Sequence, residues 1–195
     1  MAPMPDVLEA GPLTLVRWSP NDVDEVLEAV RSSFAELQQW MHWAQTMPTR
    51  EKQREALTEG TTAFDAGTDF GYLFRETATG ALVGGGGVHR REGPVVEIGY
   101  WVRSDRHNRG YATSATEAMT AAAFTYLADV DRVDIHVDCG NIASARVPEK
   151  LGYRLLGTEP REKLALGHTG EGYVWQKRRD AWTPPPADHT PCDRT

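Results

Sequence analysis

The chain of 195 residues contains only two cysteines, Cys139 and Cys192, which excludes a disulfide framework and a thiolate zinc site. No apolar run approaches the ~20 residues that a bilayer-spanning helix needs. The opening stretch, Met1 to Asp6, lacks the basic end and apolar core of a secretory signal. A cytoplasmic location without a membrane partner is therefore expected. Positive charge is in deficit, with 21 Lys and Arg against 28 Asp and Glu and a net charge of −7. A general nucleic-acid binder carries a basic face, so nucleic acid is not an expected partner. His42, His89, His136 and His168 lack metal-ligand spacing, and no metal is expected. The phosphate loop G-x-x-x-x-G-K-[ST] is missing too. The run Gly84 to Gly87 is no dinucleotide fingerprint, because the third glycine would have to fall at His89 or Arg90. That run reads either as an irregular or bulged strand or as a strand stripped of side chains so that a ligand can lie across it.

What remains is a globular composition, 40% apolar and 25% charged, long enough for one domain with a sizeable core. Leu13 to Trp18 alternates as a strand. Ser19-Pro20 opens a helix with Val23, Val26, Leu27 and Val30 at helical spacing. A short helix is expected over Ser33 to Trp43, and a longer one begins at Thr49. Phe70–Arg75 and Ala81–His89 read as a hairpin, and Val95–Val102 as the next strand. A helix runs from Gly110 to about Leu127, with Ala115, Ala118, Met119, Ala122 and Tyr126 as its buried stripe. Val133–Val137 is a strand, and Ile142–Leu151 is a helix ended by Gly152. Tyr153–Leu156, Arg161–Leu166 and Tyr173–Arg178 are expected to close the sheet. The fold class is α/β: one domain over residues 1–182, a mixed twisted sheet with helices on both faces. Residues 183–195, rich in proline and without apolar pattern, are expected to form a disordered tail.

Chemistry concentrates where the strand ending at Val102 passes through Arg103 to Arg109 into the helix at Gly110. A helix start has unpaired N–H groups and the positive end of a dipole, which suits phosphate. Gly110 clears the backbone for it, Arg106 and Arg109 add charge, and Ala112 and Thr113 keep the seat open. Arg106-His-Asn-Arg-Gly-Tyr-Ala112 resembles the coenzyme A pyrophosphate loop of the GNAT superfamily of N-acetyltransferases, [QR]-x-x-G-x-[GA]. Asn141-Ile-Ala-Ser-Ala-Arg-Val-Pro-Glu-Lys-Leu-Gly-Tyr153 is similar to that superfamily's second motif. Glu97-Ile-Gly-Tyr-Trp101 and the Trp40 to Trp43 region resemble its RimJ/RimL branch, which acetylates N-terminal amines of ribosomal proteins. The resemblance covers roughly residues 11 to 182.

The resemblance implies a single GNAT-like domain that moves the acetyl group of acetyl-CoA directly to a primary amine, on a protein N-terminus or a small molecule. A monomer or homodimer is expected. A catalytically silent, acyl-CoA-binding module of the same shape is the alternative. Acetyl-CoA is expected on His107, Asn108, Arg109, Gly110, Tyr111, Ala112 and Thr113, with a backbone N–H near Trp101 or Val102 polarising the carbonyl. Asn141 is expected to cap a helix, contact the coenzyme, or both. Lys150 either reaches the phosphates or is a solvated surface residue. Glu97 is the candidate general base, its pKa raised by apolar neighbours; the plainer reading is a strand glutamate paired with an arginine. Ser144 is the candidate donor to the leaving thiolate, or a simple helix-start residue. Trp40 and Trp43 wall the acceptor pocket or belong to the core. There are two departures from the family pattern. His107 stands where the loop has glutamine or arginine. Pro148 stands where many members carry a tyrosine acid, which excludes a tyrosine acid at that place.

Overall fold

The computed structural model describes residues 4–183. Of the expected tail, all but Thr183 lies outside the described residues. The strands are β1 (Val7–Ala10), β2 (Leu13–Arg17), β3 (Asp69–Glu76), β4 (Leu82–Arg90), β5 (Val95–Val102), β6 (Arg132–Asp138), β7 (Arg154–Pro160) and β8 (Glu171–Arg178). The helices are α1 (Val23–Ser32), α2 (Phe34–Trp40), α3 (Arg50–Asp65), α4 (Tyr111–Tyr126) and α5 (Ile142–Lys150). One eight-stranded sheet results, in the order β1-β2-β3-β4-β5-β6-β8-β7.

Every neighbouring pair in this sheet is antiparallel except β5 and β6. Those two run parallel, and their ladder spans only Val95–Glu97 against Arg132–Asp134. Beyond it both strands continue unpaired with each other, which opens a cleft in the middle of the sheet.

Strand alternation sends side chains to two cores. Tyr72, Phe74, Ile98 and Ile135 pack with Ala115, Met119 and Phe124 of α4 on one face. On the other face Leu73 and Leu82 pack with Val26 and Val30 of α1 and Leu57 of α3, and Trp101 lies against them. Helices thus cover both faces, as the pattern predicts. The alanines of α4 keep that helix close to the sheet.

Four details depart from the expectations. β1 went unread because it is only four residues long; it returns through a tight turn at Gly11 (φ 61) to pair with β2. Arg161–Leu166 is not a strand. Both edges of β8 are occupied, by β6 and β7, so no ladder is left for it, and its end instead docks on α2 through Leu166 N–H to Gln38 O (3.2 Å) and Gly167 N–H to Gln39 O (2.9 Å). The helix expected over Ser33 to Trp43 breaks at Met41, whose backbone is extended (φ −106, ψ 116). Trp40 and Trp43 therefore do not share one helical face. Finally, Gly84–Gly87 keep regular pairing with β5, and the irregularity falls beside the run, opposite Phe74/Arg75.

Candidate active site

The loop before α4 contains two left-handed residues, Asn108 (φ 61) and Gly110 (φ 80). Gly110 is the N-cap of α4 and supplies no side-chain cap, so the first N–H groups of the helix face open space. A Cβ at Gly110 would meet nothing within 4 Å, so only its positive φ calls for glycine there.

The loop is fastened from behind. Ser104 N–H donates to the hydroxyl of buried Ser33 (3.0 Å). The Tyr111 phenol donates to the Glu76 carboxylate, and Arg106 and Arg109 reach the same carboxylate at 3.8 and 3.7 Å. The Tyr111 and Thr79 hydrogen bonds hold the Glu76 pKa below its ordinary value. His107 folds back, with Nε2 3.1 Å from the Val102 carbonyl. It braces the end of β5.

One cleft gathers most of the expected residues. Trp101 and Val102 of β5, the run His107 to Thr113, Asn141, Ser144 and Lys150, and Trp40 all line it. Lys150 is exposed at its rim. Asn141 caps α5, its Oδ1 accepting from Ser144 N–H at 3.1 Å. The Ser144 hydroxyl donates to the Tyr100 phenol oxygen (3.2 Å), and the phenol donates to the Ser144 carbonyl (3.0 Å). Burial pushes the Tyr100 phenol well above its ordinary pKa, so it stays protonated. Trp43 is not among the lining residues; it is 42% exposed and meets Trp101 edge-on, ring centroids 6.1 Å apart.

Strand register distinguishes Trp101 from Val102. Trp101 pairs with Gly85, and Arg103 N–H donates to Val83 O at 2.8 Å. By antiparallel alternation, Trp101 and Arg103 turn their polar backbone groups to β4, and Val102 turns its own toward the gap where β6 has departed.

Glu97 lies outside the cleft lining. It shares the Trp101 face of β5, two alternations back, with Gly99 between. Arg91 Nε lies 2.9 Å from Glu97 Oε2, and His136 Nδ1 lies 3.4 Å from Oε1. Burial alone would raise its pKa, as expected from the sequence, but His136 and Arg91 outweigh burial and hold it at about 2. The expected rise is overturned, and the arginine pairing is present. His136 is itself pushed up by Glu97. Next to this group the His89 ring, bonded to Asp69 at 2.7 Å, lies over Gly87 and Gly99. Sequence reasoning passed over Tyr100, which lines the cleft, and the supporting contacts of Glu76, Arg91 and His136. Only Tyr100 carried a signal, its place between Glu97 and the loop.

Residues 12–154 match the acetyltransferase (GNAT) domain family. This chain belongs to that family. It is accordingly an acetyl-CoA-dependent N-acetyltransferase. The Bacillus subtilis (strain 168) protein named "Putative ribosomal N-acetyltransferase YdaF" is 26% identical over 146 residues, covering 72% of this chain and 77% of that protein. Two solved structures share the GNAT fold of this chain at 20% identity each. RimL, a ribosomal L7/L12 alpha-N-protein acetyltransferase in complex with coenzyme A, matches with a TM-score of 0.82 over 90% of this chain and 99% of its own. Mycobacterium smegmatis RimJ in complex with CoA-disulfide matches with a TM-score of 0.80 over 92% and 91%. No helix among the described residues is long and apolar enough to cross a membrane.

Proposed function

We propose that this chain acetylates the N-terminal amine of a protein in the cytoplasm. The observation that carries the reading is the split between β5 and β6. It lets a donor seated at α4 meet an acceptor arriving over the opposite, Trp101-bearing face of the sheet. The names of the relatives, several of them acetyltransferases of ribosomal proteins, favour a protein acceptor over a small amine.

The co-substrate brings a thioester whose carbonyl the neutral amine attacks as the thiolate leaves. The residues of this chain divide the work. The N–H groups of Tyr111, Ala112 and Thr113, with Arg106 and Arg109, hold the diphosphate. Asn108 and Gly110 shape that seat, and Lys150 supports it from the rim. The Val102 N–H, free of β4, faces the carbonyl oxygen and stabilises the charge that develops there. The Ser144 hydroxyl hydrogen-bonds the departing sulfur. Trp40 and Trp43, the latter through Trp101, border the acceptor's path. Glu97, with a pKa near 2, is ionised throughout the working range. It holds the acceptor amine through a water and passes its proton to solvent, rather than titrating itself.

An acceptor screen that follows free-thiol release from acetyl-CoA tests this. It would include peptides with free N-termini, lysine side chains on blocked peptides, and amine antibiotics. Turnover with free N-termini supports the reading. Turnover with amine antibiotics alone overturns the choice of acceptor. Coenzyme binding without turnover on any amine would overturn the reading and point to the silent module.

A further inference from the structure

We propose that Tyr100 is the positioning residue for Ser144, and that Pro148 is what makes it so. The inference rests on the reading of Ser144 as donor to the departing thiolate. In a helix the carbonyl of residue i accepts from the N–H of residue i+4. For Ser144 in α5 that donor would come from residue 148, and proline has none. A proline ring also crowds the carbonyl four residues back and tilts it away from the helix axis. The Ser144 carbonyl is thereby left without its helical partner on the side that faces β5.

Tyr100 fills the vacancy. Its phenol donates to the Ser144 carbonyl at 3.0 Å. With its single hydrogen so used, the phenol oxygen meets the Ser144 hydroxyl as an acceptor, at 3.2 Å. Both oxygens of one residue thus lie within reach of one phenol. Asn141 fixes the third polar group of Ser144, its N–H, at 3.1 Å. Tyr100 and Ser144 both line the cleft, so this clamp holds the hydroxyl where the sulfur leaves.

The clamp also has a second setting. When negative charge appears on sulfur, the Ser144 hydroxyl turns its hydrogen toward it. The phenol then swings its own hydrogen from the carbonyl to the Ser144 oxygen, a rotation about one C–O bond. No covalent bond changes. The thiolate's charge is spread over two hydrogen bonds in series, which strengthen one another. The phenol stays protonated throughout because its burial disfavours the phenolate. The family's tyrosine is missing from α5, and a tyrosine from β5 serves the same end of the reaction through Ser144.

Kinetics of Tyr100→Phe, Ser144→Ala and the double variant, together with Tyr100→Phe in a Pro148→Ala background, test this. Acetyl-CoA KM and melting temperature are read alongside kcat. Tyr100→Phe is expected to lower kcat about tenfold with little change in KM, less than the ~10²-fold of a donor that touches the charge directly. In the Ser144→Ala background, Tyr100→Phe should have almost no further effect on kcat. Pro148→Ala returns an N–H to the Ser144 carbonyl, so it should restore the melting temperature lost in Tyr100→Phe and leave kcat low. Recovery of kcat together with stability would show that the phenol merely satisfies a carbonyl and overturn the inference. An undiminished Tyr100→Phe effect in the Ser144→Ala background also overturns it, because Tyr100 would then act independently. Normal kcat in Ser144→Ala would remove the reading of Ser144 itself, and this inference with it. Slow Ser144→Ala with normal Tyr100→Phe sinks the Tyr100 role alone.

Discussion

A Cβ placed on Gly84 of β4 would stand 2.3 Å from the carbonyl oxygen of Trp101 on β5. Real side chains do not come that close to backbone, so the two strands approach at this point only because residue 84 has none. Gly86 is in the same situation, 2.5 Å from the Gly99 carbonyl. The glycine run is a demand of strand packing, and it lies beneath the end of β5 that presents Val102 to the cleft. Gly84→Ala is expected to push β5 outward, lower stability by about 1–3 kcal/mol, and reduce kcat by moving the Val102 N–H. Gly93→Ala is the control: its Cβ meets nothing within 4 Å and only its positive φ of 74 is strained, which costs about 1 kcal/mol and should leave kcat unchanged. Denaturant unfolding and kcat on both variants check this; a Gly84→Ala protein as stable and active as the parent contradicts it.

Gly110 separates backbone strain from ligand binding. Its φ of 80 makes any side chain uncomfortable, yet open space surrounds it. Gly110→Ala should cost about 1 kcal/mol and no more. Gly110→Glu should fold equally well but place a bulky anion in the phosphate seat. Saturating acetyl-CoA should raise the melting temperature of the parent by mass action and leave that of Gly110→Glu unmoved. An equal shift in a folded Gly110→Glu protein would place the coenzyme elsewhere.

Trp43 tests which side of the sheet receives the acceptor. It stacks edge-on against Trp101 and is 42% exposed, so truncation removes an aromatic contact of about 0.5–1.5 kcal/mol without opening the core. Trp43→Ala should raise the acceptor KM roughly tenfold while the acetyl-CoA KM stays put. A change confined to acetyl-CoA would put Trp43 on the donor side.

How much of this could be read from the chain differs between the two halves of the site. The proposed donor half is local: Val102 through Thr113 is one continuous strand–loop–helix, and its glycine, arginines and small residues sit at fixed spacing, so the sequence pattern sufficed to predict this arrangement. The Asn141 cap was legible for the same reason, since cap and capped N–H are three residues apart. The other half is assembled from distant segments. Nothing in Val95-Val-Glu-Ile-Gly99 shows that Arg91 would fold back from the preceding turn, or that β6 would deliver His136 to Glu97, and those two charges reverse the pKa shift that an apolar neighbourhood suggests. Arg161–Leu166 was misread because a strand needs a free edge, and edges are a property of the whole sheet. Trp18 is similar: its indole occupies the space left by Gly60 and Gly71, where a Cβ would stand 2.6 and 2.7 Å from the ring, a fit that no spacing rule reveals.

Glu97 offers the sharpest pH test, because its depressed pKa makes two linked claims. For stability the sign is fixed. Its folded pKa, about 2, lies below the ordinary ~4.3 of a glutamate. Its contribution is therefore present above the unfolded value and is lost as pH falls through that value toward about 2. His136 runs the other way: raised by Glu97, it contributes fully below its unfolded pKa of ~6.5 and loses that contribution as pH rises through its folded value. The stability difference between the parent and Glu97→Gln should accordingly be largest near pH 5–6, on the order of 2–3 kcal/mol for a carboxylate 22% exposed. It should shrink below pH 4 and, more gently, above neutrality, where Arg91 remains. For catalysis, a group ionised down to about pH 2 cannot produce an acidic limb in the working range. Glu97→Gln should lower kcat/KM by roughly 10-fold or more at every pH, and the limb should stay where the acceptor's own amine puts it, moving only when acceptors of different pKa are compared. A limb that shifts by the same amount for all acceptors in Glu97→Gln would mean that Glu97 titrates during turnover and is itself the base.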